Sequence, residues 1–118
     1  MFDMNAILSS ELLRNQNFVF AEPPEILPFD FGKEVLDEGD FAHVSCIVTK
    51  GDMPLSIRWS MHGDAANNVD SIITSQAGPR ASFLSIASVS HRHRGVYTCQ
   101  AENKAGFATA SATLKVNG

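Results

Sequence analysis

From Ala42 to Val48 hydrophobic and polar positions alternate: Ala42, Val44, Cys46 and Val48 share one side, His43, Ser45 and Ile47 the other. A period of two sends successive side chains to opposite faces, so this stretch predicts a half-buried β-strand. The rhythm returns in Leu55, Ile57, Trp59 and Met61, with Ser56, Arg58 and Ser60 between them. Ile72 to Ser75 forms a shorter run, Ala81 to Ile86 places Leu84 and Ile86 inward, and Val96 to Ala101 precedes a last strand from Phe107 to Val116. Near the start, Ile26 and Leu27 read as an edge strand, because Pro28 removes a ladder donor and is tolerated only at an edge or bulge; Lys33 to Leu36 can resume it. Turn chemistry separates these runs at Asp37 to Asp40, Lys50 to Pro54, His62 to Asp64, Ala77 to Pro79 and Asn103 to Gly106. Residues 65 to 70 are too polar and irregular to assign. With no helical period in the main body, seven to eight short strands at regular spacing predict an all-β sandwich or barrel.

The length of 118 residues corresponds to one domain. Pro23-Pro24 forbids helix and forces an extended path, so the domain is expected over 23–118. Residues 1–22 have no basic n-region, and Asp3 and Glu11 interrupt their apolar positions. They are expected to be an N-terminal extension or added leader outside the fold rather than a membrane span.

Two cysteines allow free thiols, a redox pair or a structural bridge. Their separation of 53 residues excludes the Cys-x-x-Cys arrangement and short zinc-ligand spacing. Both lie on inward positions of predicted strands, where a bridge would pin two sheets together and select the sandwich. Closing that loop removes chain entropy worth roughly 4 kcal/mol, and the bond requires an oxidising compartment.

The formal charge is −4, from nine Lys+Arg and thirteen Asp+Glu. Such a balance argues against nucleic acid as a partner, since phosphate neutralisation needs a basic stripe. It likewise offers nothing to an anionic membrane surface, and no direct membrane insertion is expected. There is no Gly-rich phosphate loop and no paired carboxylates with a reason to share a cleft, so neither an enzyme nor a cofactor is expected. His91-x-His93 suggests metal ligands, but a third ligand has no evident source, and no metal is expected. No Asn-x-Ser/Thr occurs to place a glycan on either sheet face.

Cys46, Trp59, Leu84-x-Ile86 and Gly95-x-Tyr97-x-Cys99 resemble the B, C, E and F strand signature of the immunoglobulin fold. The resemblance implies an immunoglobulin-like sandwich of two antiparallel sheets, of the I-set, with one inter-sheet disulfide between Cys46 and Cys99. Trp59 and Leu84 would fill its core, and Tyr97 would form a tyrosine corner by bonding backbone near the E–F turn. In one respect the chain departs from that pattern: His93 stands where the family usually has the aspartate that caps this turn. A narrower resemblance lies in Pro23-Pro24-x-Ile26-x-Pro28-Phe29-Asp30-Phe31-Gly32, in Lys50-Gly51-Asp52-x-Pro54 and in the ending Leu114-x-Val116-Asn117-Gly118. These are similar to the arthropod Dscam cell-adhesion family, at its variable seventh immunoglobulin domain or the N-terminal variable domain of shortened members.

That resemblance implies extracellular, homophilic recognition: a weak symmetric antiparallel dimer with an identical copy, through the outer face of the A-B-E-D sheet. Alternation then nominates His43, Ser45 and Ile47 on B, Ile73 and Ser75 on D with Gln76 just after it, and Phe83 and Ser85 on E. Phe83 and Ile47 are the informative members, because large apolar groups have no reason to face water in a monomer. The charges of the two turns at one end, with six acidic residues from Glu25 to Asp40 and Arg92 and Arg94 around His93, are expected to offset each other within one molecule. Two other functions suit the same fold: a structural spacer in a tandem array, or recognition of a foreign ligand through Lys50 to Pro54 and Ala77 to Arg80.

Overall fold

The alternation of Ala42, Val44, Cys46 and Val48 becomes the inward face of the long strand β2 (Ala42–Lys50), and all four side chains are buried. In the computed structural model, which describes residues 21–66 and 71–118, the order is β1 (Glu25–Ile26), β2, β3 (Ser56–Met61), β4 (Asp64–Ala65), β5 (Ile72–Gln76), β6 (Ala81–Ile86), a 3-10 turn (His91–His93), β7 (Gly95–Asn103) and β8 (Gly106–Leu114). Two four-stranded antiparallel sheets result, ordered β1-β2-β6-β5 and β4-β3-β7-β8. This is the predicted sandwich. Residues 1–20 and most of the irregular run before Ile72 lie outside the described residues.

The core forms where the inward rows of the two sheets meet. Cys46 of β2 and Cys99 of β7 are fully buried and bonded to each other across the sheets. Trp59 lies opposite Cys99 in the β3–β7 register and donates its indole N–H to the Ser82 hydroxyl at 3.0 Å. An indole buried this far needs such a partner, because an unpaired buried donor is costly. Phe29 and Phe31 precede β2 and meet Trp59 and Tyr97 edge-on, at 5.4 Å and 5.5 Å between ring centroids. The period of two at Phe29-x-Phe31 is the trace of this packing in the sequence.

Four features differ from the expected elements. Lys33 to Leu36 contributes a single parallel bridge, Leu36 to Val116, rather than a resumed strand. It is nonetheless well anchored: Leu36 N–H donates to the Lys115 carbonyl at 2.9 Å, and Asn117 N–H donates to the Leu36 carbonyl at 2.8 Å. The pair Asp64–Ala65 adds a short strand beside β3 that its polarity concealed. The turn expected around His93 is more regular than its sequence indicates, a 3-10 turn at His91–His93. Finally, β5 runs one residue further than its hydrophobic pattern, through Gln76.

That 3-10 turn shows what stands in for the family's aspartate. His93 is fully buried, and its Nδ1 accepts the Ser90 backbone N–H at 2.9 Å. Accepting at Nδ1 requires a lone pair there, so the imidazole does the capping work of a carboxylate without a fixed negative charge. Tyr97 completes the corner by donating its hydroxyl to the His93 carbonyl at 2.6 Å. At the opposite end the Glu22 N–H donates to the Asp52 carboxylate at 2.8 Å, and the Asn103 amide donates to the Glu22 carbonyl at 2.8 Å. Gly51 permits this meeting of segments. A Cβ there would stand 2.8 Å from the Pro24 Cα, and its φ of +121° is itself unfavourable to other residues.

Burial pushes the Tyr97 phenol up from 10.0 to about 12. The folded state therefore keeps this proton where the unfolded chain has lost it, and stability falls as pH rises from about 10 to about 12. Tyr97→Phe is expected to make that alkaline decline shallower, and to cost roughly 1–2 kcal/mol at neutral pH through the lost hydrogen bond. Urea unfolding at both pH values measures both effects.

Candidate interaction face

β2, β6 and β5 lie side by side, and their registers bring the outward positions into rows. His43 is opposite Ser85, which is opposite Ile73; Ser45 is opposite Phe83, which is opposite Ser75; Ile47 is opposite Ala81. The alternate residues Val44, Cys46, Ile72, Leu84 and Ile86 are all buried in the core, so these rows form the outer surface of one sheet. Seven of the eight nominated residues are thus neighbours. Gln76 is the exception. It is paired with Ser82, which faces inward, and its amide donates to the Gly78 carbonyl at 3.1 Å. Since β5 passes through Ser75 without a bulge, the next residue falls on the opposite side from Ile73 and Ser75.

The apolar surface is larger than the nominated set. Ile73 is 63% exposed, Phe83 38% and Phe41 60%. Phe41 stands one residue before β2 and stacks on the His43 ring, with centroids 5.6 Å apart and planes 25° from parallel. Its position continues the row 43-45-47 one step into the turn, which is the sequence signal that marks it. Leu27 is also exposed, and its N–H donates to the Ile47 carbonyl at 2.9 Å, so it extends the surface toward the sheet edge.

Electrostatics distinguishes this face from the rest of the molecule. Among the described residues, no Asp, Glu, Lys or Arg occupies an outward position of β2, β5 or β6. His43 is the titratable group there. Charges gather elsewhere: Arg58 meets Glu102 at 3.7 Å on the other sheet, and His91 meets Glu38 at 3.1 Å where the turns adjoin. The latter contact joins the two turns through His91, to whose Nδ1 Arg94 donates at 2.9 Å, rather than by a direct Glu38–Arg94 pair. Exposed pairs of this kind contribute roughly 0–1 kcal/mol.

One concave surface among the described residues is a groove of about 340 Å³ between the open sheet edges, lined by Ile57, Trp59, Thr74 and Ser82 among others. Its polar groups are mostly hydroxyls, and Ser82 already accepts from Trp59; nothing there forms a nucleophile–base pair. The two histidines suggested as metal ligands serve separate partners, His91 at Glu38 and Arg94, His93 at Ser90. Among the described residues no group of three or more His, Cys, Asp or Glu is placed to hold a metal ion. Nor, among them, is any helix long and apolar enough to cross a membrane.

Comparison with known proteins agrees with this architecture. The immunoglobulin domain family model matches residues 23–103. Over 96 residues the chain is 44% identical to the cell adhesion molecule Dscam1 of Drosophila melanogaster, covering 80% of this chain and 5% of that protein. Over 94 residues it is 36% identical to the cell adhesion molecule DSCAML1 of Mus musculus, covering 80% and 4%. The chain therefore spans about a twentieth of the length of these relatives. Among solved structures, the Ig7 domain of Dscam1, isoform 9, superposes with a TM-score of 0.77 at 43% identity, over 80% of this chain and 100% of that one. The eight-domain N-terminal fragment of DSCAM isoform 1.30.30 gives 0.75 at 37% identity, over 83% and 12%.

A face not needed by the core is expected to tolerate truncation. Phe41→Ala and Ile73→Ser are each expected to change unfolding free energy by no more than about 0.5 kcal/mol. Leu84→Ala, on the inward side of the same sheet, is expected to cost about 2–5 kcal/mol. Urea denaturation of the three variants measures the contrast.

Proposed function

This chain belongs to the immunoglobulin domain family, and from that premise we propose that it is a cell-surface recognition module that binds an identical copy of itself. The contact uses the outward face of the β1-β2-β6-β5 sheet in a symmetric antiparallel dimer. One observation carries this reading: Phe41, Ile47, Ile73 and Phe83 share a face on which the outward positions of β2, β5 and β6 bear no fixed charge, the exposed Glu25 lying on the edge strand β1. A two-fold contact sets a surface against itself, so any fixed charge near the axis meets its own copy. An apolar, uncharged face avoids that repulsion, and burying it drives association.

The similarity to cell adhesion molecules of the Dscam group supports an extracellular setting, and the buried disulfide suits such an oxidising compartment. Within a longer receptor the module acts by binding rather than by catalysis. A single domain contact is weak, and several in tandem supply strength through effective concentration. A spacer role is a second reading, favoured by the hydrogen bonds that tie Glu22 to Asp52 and Asn103 and fix the chain's path into the domain.

Sedimentation equilibrium separates the two readings. Recognition predicts a monomer–dimer equilibrium at micromolar to high-micromolar concentration, and Phe83→Asp weakens it about tenfold or more by burying an unpaired carboxylate. Because the outward positions of β2, β5 and β6 lack fixed charge, raising the salt from about 0.05 M to about 0.5 M shifts the dissociation constant by no more than about twofold. A strict monomer, or a dimer indifferent to Phe83→Asp, supports the spacer instead.

A further inference from the structure

On the outward face just described, His43 is an exposed side chain packed against a neighbouring ring. Its ring stacks on Phe41, and Ser85 of β6 stands opposite it, with Ile73 of β5 beyond. We propose that the stacked Phe41–His43 pair is a specificity-determining contact of the self-association face, and that protonation of His43 releases the dimer. The proposal rests on the self-association reading above.

The argument begins with what surrounds the imidazole. From its own strand it is faced by Phe41 and Ser45, from β6 by Phe83 and Ser85, and from β5 by Ile73. None of these is an anion. Among the described residues, the carboxylates closest to His43 in sequence belong to the turn before β2 and are engaged there. Asp40 accepts the Asp37 N–H at 2.9 Å, and Glu38 faces His91 at 3.1 Å, with Arg94 bonded to the same histidine. On the β1 side, Glu25 pairs with Lys50 at the far end of β2.

An imidazole is the ordinary side chain that gains charge between about pH 8 and pH 5. While neutral, the Phe41–His43 stack presents a flat, largely apolar plate to a partner. Once protonated it keeps its position, since a cation over an aromatic face is attracted to it. The charge is then retained at the contact. A two-fold dimer delivers two such charges into one apolar interface whose outward strand positions offer no anion to pair with, and burying an unpaired charge opposes association. Mild acid should separate the copies while leaving each domain folded.

The test is sedimentation of the 118-residue chain at about pH 7.5 and about pH 5.5, for the native protein and for His43→Gln, Phe41→Ala and Phe83→Asp. Circular dichroism at both pH values tracks the fold, including the 3-10 turn that the buried His93 holds through Ser90. The native dimer is expected to weaken about tenfold on acidification, and His43→Gln to stay within about twofold of its neutral value. Phe41→Ala is expected to weaken the neutral dimer about threefold or more. If a Phe83-dependent dimer forms but His43→Gln declines with acid as the native protein does, the His43 proposal is overturned and the face stands. An acid-insensitive native dimer overturns it equally. If no dimer forms at about pH 7.5, both readings are overturned together.

Discussion

The Cys46–Cys99 bond ties β2 to β7, one interior strand from each sheet, and the remaining structure is arranged about that junction. Trp59 lies beside it in register, and Tyr97 stands two residues earlier on β7. Closing a loop of this length stabilises the fold by roughly 4 kcal/mol in the loop-entropy description, comparable with a large part of the net stability of a small domain. With the sheets joined covalently through their interiors, the outward faces are relieved of holding the molecule together. They are free to carry residues chosen for other purposes.

The two faces use that freedom differently. The outer surface of the β4-β3-β7-β8 sheet mixes hydroxyls and a charged pair with the exposed apolar Val96 and Phe107; Thr98 is bonded to Ser111 at 2.8 Å, and Arg58 lies near Glu102. The opposite surface concentrates aromatic and branched apolar groups, and the outward positions of β2, β5 and β6 exclude formal charge. Burial for stability explains neither arrangement, because both surfaces face water. The difference between them is the physical reason for assigning recognition to one and solubility to the other.

Much of the fold was legible in the sequence, because a period of two, two inward cysteines and Tyr97 state backbone geometry directly. Strand β6 matches its hydrophobic run from Ala81 to Ile86. Features set by tertiary contact were less visible. Gln76 follows an apolar strand, and its side is decided by where the ladder with β6 ends rather than by its own chemistry. Phe41 abuts the polar Asp37–Asp40 turn, so the strand's alternation is hidden one step before it begins. The capping role of His93 emerged from a backbone N–H three residues back, a partner that residue identity alone does not announce. The rows at His43, Ser45 and Phe83 were readable because strand parity alone fixes their side.

The parallel bridge of Leu36 with Val116 has a mechanical consequence. Its two hydrogen bonds, Leu36 to Lys115 and Asn117 to Leu36, join a segment near one end of the domain to the segment that leaves it at the other. Tension applied along the chain through Glu22 and Gly118 pulls these parallel segments past each other lengthwise. The bonds are then strained in shear and must fail together, whereas an antiparallel hairpin pulled from its open end parts one bond at a time. A short, unassuming bridge thus makes the domain resist being drawn out by tension along the chain.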